Sequence, residues 1–207
     1  MTTRILVADD HPLFRDALKL AVSRASPDCE IVEACTIEQA LQRLERTPAF
    51  SLVLLDLKMP DCGGFEGLVA VRARFPLAPV VIVSACEDRL QIKKALALGA
   101  SGYIPKSASM GVLAGALETI LRGEVWAPSD VDTETEPSLE RLGTLTPAQL
   151  RILMDLQQGR LNKQIAFDIG VTEATVKSHL TAIFRKLGVL NRTQAVLAVQ
   201  SLMEDAA

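Results

Sequence analysis

Residues 52–64 read LVLLDLKMPDCGG, and this stretch decides how the first half of the chain is interpreted. Its first four residues are apolar without alternation, which is typical of a strand covered on both faces in a parallel sheet. Asp56 follows this run directly, and the Gly63-Gly64 pair predicts a turn soon after. Because ligand sites in such sheets lie beyond the carboxyl ends of the strands, Asp56 lies where chemistry is expected.

The rest of the first 123 residues alternates between similar short apolar runs and longer helical patterns. Further strands are predicted at 5–8, 30–34, 79–83 and 102–104. Helices are predicted at 12–25, 36–46, 65–75, 88–98 and 109–122. Five alternations of this kind predict an α/β domain at 1–123, built on a doubly wound, five-stranded parallel sheet.

The character of the sequence changes after Gly123. Between 124 and 142, six acidic residues face one basic residue and two prolines interrupt the segment, which predicts an acidic, partly disordered linker at 124–143. From 144 to 200, seven basic residues face three acidic ones, a net charge of +4. An acidic linker therefore precedes a basic module at 144–207.

The basic module has a helical pattern throughout and is predicted as a small all-α domain of four helices. These helices are predicted at 147–158, 162–169, 173–187 and 192–203. Their candidate N-caps are Thr146, Asn162, Thr172 and Asn191. Residues 165–186 read IAFDIGVTEATVKSHLTAIFRK, a short helix, a turn at Gly170 and a longer amphipathic helix. That succession is typical of a helix-turn-helix unit, whose second helix lies in the major groove of DNA.

Composition limits the remaining possibilities. With 207 residues, 49% of them apolar, the chain is long enough for two domains with their own cores. Its four cysteines have no metal-binding spacing and are expected to be reduced, as in a cytoplasmic protein; for Cys62 and Cys86, which lie in predicted active-site loops, packing is favoured over a redox role. No apolar stretch is long enough to cross a membrane and no signal peptide precedes the first strand, so no membrane partner is expected.

Polar groups are predicted directly after the strands of the sheet. They are Asp9, Asp10, Asp56, Ser84 and Lys106. In a parallel sheet these ends share one edge, so the groups are expected to form one pocket. Neighbouring carboxylates repel each other unless a cation joins them, and Mg2+ suits such a set of oxygen ligands. With the metal bound, Asp56 can act as a nucleophile on a phosphoryl group, while Lys106 and the Ser84 hydroxyl hold its oxygens.

Four motifs carry a resemblance to the receiver domain of two-component response regulators over 1–123. They are the Asp9-Asp10 pair, LDLKMP at 55–60, VSA at 83–85 and GYIPK at 102–106. Each motif alone also has a structural interpretation, as a helix cap, a turn or a solvated lysine, but their predicted co-location favours the functional one. The resemblance implies a flavodoxin-like strand order for the sheet.

The resemblance also implies a role for each pocket residue. Asp56 would be the phosphoacceptor, and Mg2+ would be bound by Asp10, Asp56 and the Lys58 backbone carbonyl, with Asp9 acting largely through water. Ser84, Tyr103 and Lys106 would be the switch hydroxyl, the switch aromatic and the phosphate-contacting lysine. If the Ser84 hydroxyl moves to a bound phosphoryl group, the Tyr103 ring can fill the space that it leaves, which would repack the surface of the fourth and fifth helices.

The module over 145–203 resembles the LuxR-type DNA-binding domain of the NarL/FixJ class of response regulators. The residues that carry this resemblance read LTPAQLRILMDLQQGRLNKQIAFDIGVTEATVKSHLTAIFRKLGVLNRTQAV. Base contacts are implied for Lys177, Ser178 and Thr181. Contacts with the DNA backbone or near it are implied for Asn162, Lys163, Thr175, His179 and Arg185. His179 fits the rim of the domain core equally well, and the last helix is expected to use Ala195, Val196 and Val199 either for a dimer contact or for its own domain's core.

The leading interpretation is a DNA-binding response regulator that is not an enzyme. A sensor histidine kinase would phosphorylate Asp56, and this would control homodimer formation, binding of double-stranded DNA at an inverted-repeat site, and transcription. One alternative is a metal-dependent aspartyl-phosphate phosphatase, disfavoured because such enzymes carry the nucleophile after the first strand and not the third. The other is a receiver-based interaction protein with little DNA binding, which the weak basic excess of the module permits.

Overall fold

The computed structural model describes residues 3–47, 50–131 and 137–203. In the first part of the chain, parallel strands alternate with helices. The strands are β1 (Arg4–Ala8), β2 (Glu30–Ala34), β3 (Leu52–Asp56), β4 (Val80–Ser84) and β5 (Gly102–Pro105). The helices are α1 (Pro12–Ala25), α2 (Ile37–Arg46), α3 (Glu66–Arg74), α4 (Arg89–Ala97) and α5 (Met110–Leu121). The predicted succession is confirmed, with boundaries within one residue of those expected.

The strand order in the sheet is β2-β1-β3-β4-β5, and every neighbouring pair is parallel. The ends of β1 and β2 are level, as are those of β4 and β5, whereas β3 extends one residue beyond β1 and β4 extends one residue beyond β3. Ala8 lies opposite Leu55, so that Asp9 follows beside Asp56, and Ser84 lies opposite Pro105, just before Lys106. The order reverses between β1 and β3, which is where ligands bind in open α/β sheets.

Both faces of the sheet are covered, which explains the continuous apolar runs. Every residue of β3 and β4 is buried. Leu52 and Leu54 belong to the core layer that includes α1 and α5, whereas Val53 and Leu55 belong to the layer on the opposite face. Each such side chain contributes about 1.5–3 kcal/mol of hydrophobic stabilisation, so the edge that carries Asp56 is held by a stable core.

The second part of the chain is helical. Its helices are α6 (Pro137–Gly143), α7 (Pro147–Gln157), α8 (Asn162–Ile169), α9 (Glu173–Leu187) and α10 (Arg192–Met203). The helices predicted for the basic module are confirmed. Helix α6 corrects the expectation of a linker at 124–143, of which 132–136 lie outside the described residues. Its Leu139 and Leu142 are buried against other helices, so tertiary packing stabilises a short charged segment that has a weak helical pattern of its own.

The predicted caps hold for most of these helices. The Thr146 hydroxyl accepts a hydrogen bond from the Gln149 N–H and Thr172 caps α9 in the same way, while Asn191 Oδ1 accepts from the Gln194 N–H at 2.9 Å. The prediction of an Asn162 cap is wrong, because Asn162 is already the first residue of α8. Here the Gln164 side chain accepts from the Leu161 N–H at 2.8 Å and supports the start of the helix instead.

The two parts of the chain are in contact. Helix α3 packs against α7 and α4 packs against α6. The second contact is close, since a Cβ atom on Gly143 would lie 3.1 Å from the Ala97 carbonyl oxygen. Among the described helices, none is both long and apolar enough to cross a membrane.

Candidate functional site

The carboxyl edge of the sheet brings distant charged residues together, as predicted. Lys106 Nζ lies 2.7 Å from Asp9 Oδ2 and 2.6 Å from Asp56 Oδ2, so one ammonium group bridges two carboxylates. The Asp9 and Asp56 side chains are only 1% and 2% exposed, and that of Lys106 is 15% exposed. We call this group, together with Asp10, the acid edge.

Burial raises the pKa of Asp56, and hydrogen bonds from Lys106 and from the Lys58 N–H oppose that shift. The Lys58 N–H donates to Asp56 Oδ1 at 3.1 Å. An open pocket of about 490 Å³ lies over this carboxylate. Asp56 is therefore a desolvated carboxylate in a fixed orientation that remains open to a small substrate from one side.

A divalent cation fits the acid edge. Ligand atoms of Asp9, Asp10, His11 and Asp56 all lie within 4.8 Å of one another. Three carboxylates face one lysine, so the cluster has excess negative charge, and hard oxygen donors of this kind suit Mg2+. His11 was not predicted as part of this cluster; its Nδ1 lies 2.6 Å from Asp10 Oδ1, and its place after the Asp9-Asp10 pair was the available signal.

Ser84 and Tyr103 meet near the same pocket. Ser84 is buried at the end of β4, and its hydroxyl accepts a hydrogen bond from the Cys86 N–H at 3.2 Å. Tyr103 is fully buried and its hydroxyl donates to the Cys86 carbonyl at 2.7 Å. Burial raises the pKa of Tyr103 to about 12. The Tyr103 ring is thus already buried, with its hydroxyl held at the loop that follows β4.

The thiol of Cys62 is unsuited to redox chemistry. It is half-buried next to Glu66, with Sγ 3.9 Å from Glu66 Oε2. Burial and the neighbouring carboxylates raise the pKa of Cys62 to about 12. Since the thiolate is the reactive form, a thiol that stays protonated at neutral pH supports the interpretation of Cys62 as a packing residue.

The face of α9 that was predicted to contact bases is exposed. Lys177, Ser178 and Thr181 are exposed, whereas Val176, Leu180, Ile183 and Leu187 are buried on the opposite side. The Thr181 hydroxyl donates to the Lys177 carbonyl at 3.0 Å, and Lys177 Nζ lies 3.1 Å from Glu173 Oε1. Within the described parts of the chain, the contacts of Lys177 and Thr181 are with their own helix, so this exposed face is available to a partner.

The residues implied to lie nearer the DNA backbone differ in exposure. Lys163 and Arg185 are exposed, while Asn162, Thr175 and His179 are half-buried. The Thr175 N–H donates to the Thr172 hydroxyl at the start of α9. On α10, Ala195 and Val199 are fully buried within the helical part, so the core interpretation of that apolar stripe holds and the dimer interpretation is wrong for these two residues.

Comparison with known families agrees with this geometry. The family model of the response regulator receiver domain matches residues 5–118, and that of the bacterial regulatory proteins of the luxR family matches residues 143–199. The chain belongs to the response regulators. Within that family it combines a receiver domain with a LuxR-type DNA-binding domain, as the sequence motifs predicted.

Several relatives of this response regulator match over nearly their whole length. The glycerol metabolism activator of Pseudomonas putida is 39% identical and the nitrate/nitrite response regulator protein NarL of Escherichia coli is 33% identical; in each case 94% of both chains is covered. The RcsB response regulator of Salmonella typhimurium has a similar fold, with a TM-score of 0.59 at 20% identity, covering 97% of this chain and 100% of that one. A structure of an RcsB–DNA complex is similar over 97% of this chain and 99% of that one, with a TM-score of 0.55 at 20% identity.

Proposed function

We propose that this response regulator accepts a phosphoryl group on Asp56 from a phosphohistidine of a sensor kinase and thereby controls its binding to double-stranded DNA. The observation that carries the proposal is the convergence of Asp9 and Asp56 on Lys106. Relatives such as NarL are named as response regulators, which supports a role in transcription for this chain.

The geometry of Asp56 supports a role as the nucleophile in the proposed phosphoryl transfer. A carboxylate oxygen attacks phosphorus, the new P–O bond forms as the P–N bond to the kinase histidine breaks, and the released imidazole takes up a proton. Lys106 then redirects an N–H from Asp56 to a phosphoryl oxygen while it keeps its contact with Asp9. The Ser84 hydroxyl, at the adjoining strand end, donates to a second phosphoryl oxygen.

Mg2+ would be held by Asp10, Asp56 and the Lys58 backbone carbonyl, with Asp9 acting largely through water. When bound, the ion would neutralise charge on the phosphoryl oxygens. Removal of divalent cations is therefore expected to abolish transfer, although the fold persists because Lys106 already compensates two of the carboxylates.

The phosphorylation signal has a contiguous route to the DNA-binding helix. Ser84 and Tyr103 both contact Cys86, in the loop that leads into α4. Helix α4 packs on α6, and α6 packs on α9. A change at Ser84 can thus bias the packing of α4, and through α6 the position of α9.

On DNA, α9 lies in the major groove, with Lys177, Ser178 and Thr181 towards the bases. Lys163, Arg185, Thr175 and His179 surround that contact, and the positively charged members bind phosphates. A phosphorylated homodimer would place two copies of α9 on an inverted-repeat site. The dimer contact is assigned to the outer face of α10, where Leu197 is 58% exposed.

The test uses the full chain with acetyl phosphate and Mg2+. Wild-type protein is expected to gain a phosphoryl group that alkali and hydroxylamine remove, to shift towards dimer in sedimentation and to bind a selected inverted-repeat duplex more tightly. Asp56→Asn should lose all three responses, whereas Asp28→Asn, an exposed carboxylate on the same domain, should keep them. A full response in Asp56→Asn would refute the proposed acceptor.

The same preparation separates the alternative functions. Sustained hydrolysis of a small phosphate ester would identify a phosphatase, because a regulator is consumed as a stoichiometric acceptor. Normal phosphorylation with only weak, sequence-independent DNA binding at every salt concentration would identify an interaction protein.

A further inference from the structure

A basic groove runs between the receiver and the helical domain where α3 packs against α7. It has a volume of about 790 Å³. Its cationic residues come from both domains: Arg74 from the end of α3, and Arg151, Arg160 and Lys163 from the helical part. The one acidic residue in the described groove wall is Asp168, and it is paired with Arg160 at 2.6 Å.

The cationic side chains of this groove differ in how far neighbouring carboxylates neutralise them. Arg160 is held by Asp168 and lies 3.4 Å from Asp155 Oδ1, so it is largely compensated. Among the described ion pairs, none involves Lys163 or Arg151; Arg151 donates to the Asp168 backbone carbonyl at 3.3 Å. Arg74 pairs with Glu45, but both side chains are well exposed, and exposed pairs of this kind contribute little stability. Arg74 can therefore exchange Glu45 for another anion.

The position of Lys163 indicates which anion reaches the groove. Lys163 is the second residue of α8, the first helix of the helix-turn-helix unit, and α8 packs on α9. In such units the first helix crosses the DNA backbone while the second lies in the major groove. Phosphates that contact Lys163 thus lie at the mouth of the groove that Arg74 also lines.

We infer that Arg74 of the receiver contacts a backbone phosphate of the duplex that α9 reads, so that the DNA-binding surface extends across the domain boundary. This inference rests on the proposed function. Its physical basis is that a planar guanidinium group matches phosphate geometry and is only weakly hydrated. It requires the contact between α3 and α7 to persist in the DNA-bound protein.

Salt dependence of binding provides the test, because each phosphate neutralised contributes a fixed amount to the slope of log K against log salt concentration. The probe is a duplex selected from a random-sequence library by the phosphorylated wild-type full chain. Affinities are measured by fluorescence anisotropy over a series of salt concentrations. Arg74→Gln is expected to make the slope shallower by about 0.9 for each bound protomer, and Arg74→Lys is expected to retain it.

Two matched variants serve as the positive and negative controls for the change in slope. Lys163→Gln, at a proposed phosphate contact, should show a loss of slope similar to that of Arg74→Gln. Arg43→Gln removes the same charge from α2 of the receiver, outside the groove, and should leave the slope at the wild-type value. Circular dichroism is expected to show unchanged folding for all of them, since each altered side chain is exposed.

Other outcomes overturn the inference in distinguishable ways. A wild-type slope in Arg74→Gln, with the expected loss in Lys163→Gln, removes Arg74 from the interface and leaves the proposed function intact. Equal effects of Arg74→Gln and Arg43→Gln on the slope would mean that Arg74 acts only by long-range attraction and not by a phosphate contact. Tighter DNA binding by Arg74→Gln would mean that the receiver covers the DNA-binding surface. Absence of specific binding by the phosphorylated wild type overturns the proposed function and this inference together.

Discussion

The acid edge of the receiver and the exposed face of α9 are built in opposite ways. At the acid edge, Lys106 hydrogen-bonds to Asp56 from 50 positions away in the sequence, and the Asp56 side chain is almost completely buried. On α9, Thr181 hydrogen-bonds within its own helix, four positions from Lys177, and both side chains are exposed.

This difference shows how each surface depends on the rest of the molecule. The acid edge exists only while the parallel strands stay in register, because the register places Asp9 beside Asp56 and Lys106 beyond Ser84. The α9 face needs only the helix and its cap. Core substitutions should therefore impair the first surface, whereas local substitutions should impair the second without affecting the first.

The largest effect is expected from Leu54→Ala in β3. Its side chain is fully buried two residues before Asp56, so removing it should lower the free energy of unfolding by about 2–5 kcal/mol, as measured in urea. Mg2+ affinity at the acid edge should fall as well. Leu197→Ala, on the exposed face of α10, is the control and should change stability by less than about 0.5 kcal/mol. A loss in Leu54→Ala no larger than in this control would contradict the dependence on the core.

A base contact on α9 gives the next effect. Lys177→Ala is expected to reduce discrimination between the selected site and a site with one substituted base pair by about 1–3 kcal/mol. Competition anisotropy measures this difference. Lys19→Ala removes the same charge from α1 and should preserve discrimination. Loss of affinity at both sites in equal measure would place Lys177 on a phosphate instead.

The cap of α9 is expected to have a smaller and strictly local effect. Thr172→Ala removes the hydroxyl that accepts from the Thr175 N–H and should destabilise the helical domain by about 1 kcal/mol. Thermal unfolding measures the loss, and acetyl phosphate labelling of Asp56 should remain unchanged. Thr193→Ala, exposed within α10, is the control. If Thr172→Ala also reduced the labelling of Asp56, the acid edge and the exposed face of α9 would be more strongly coupled than their separate sets of contacts indicate.

The smallest effect concerns the charge of Asp56 itself. Burial raises its pKa in the folded protein, so the native state binds this proton more readily than the unfolded state does. The protonated Asp56 carboxyl group therefore stabilises the folded state. This stabilisation is fully present at pH values below the ordinary carboxyl pKa of 3.8, and it is lost as the pH rises through the raised pKa of the folded protein. Asp56→Asn keeps the neutral form at every pH and leaves Lys106 its contact with Asp9, so a modest stabilisation at neutral pH is expected without divalent cations. Urea unfolding at pH values from below 3.8 to neutral should show this stabilisation of Asp56→Asn relative to wild type. Asp28→Asn should follow the wild-type curve of stability against pH.

Most of the architecture follows from local sequence patterns. Apolar runs locate the strands, and the polar residue after each run identifies the members of the acid edge, because a parallel sheet has only one carboxyl edge. Thr146 and Thr172 locate helix starts, since their hydroxyls accept hydrogen bonds close by in the sequence. The roles proposed for the residues of both surfaces remain predictions.

Other features could not be obtained from those patterns. Helix α6 lies in a segment with an acidic, linker-like composition, and burial of Leu139 and Leu142 by other helices stabilises it. The inward Tyr103 ring and the bridging position of Lys106 are choices among side-chain conformations that the sequence permits equally. His11 joins the acid edge because its backbone N–H is held by Asp9 at 2.8 Å, a contact that composition does not indicate.

The sequence by itself determined the order of strands and helices along the chain, the succession of an α/β part and a helical part, and the family to which the chain belongs. Tertiary structure decided which carboxylates share the Lys106 ammonium group, which leucines of an acidic segment are buried, and that Arg74 faces the same groove as Lys163. The physical reason is the distance along the chain over which each interaction acts. Periodicity and capping act over one or two helical turns, whereas desolvation and ion pairing depend on every element that packs around a group.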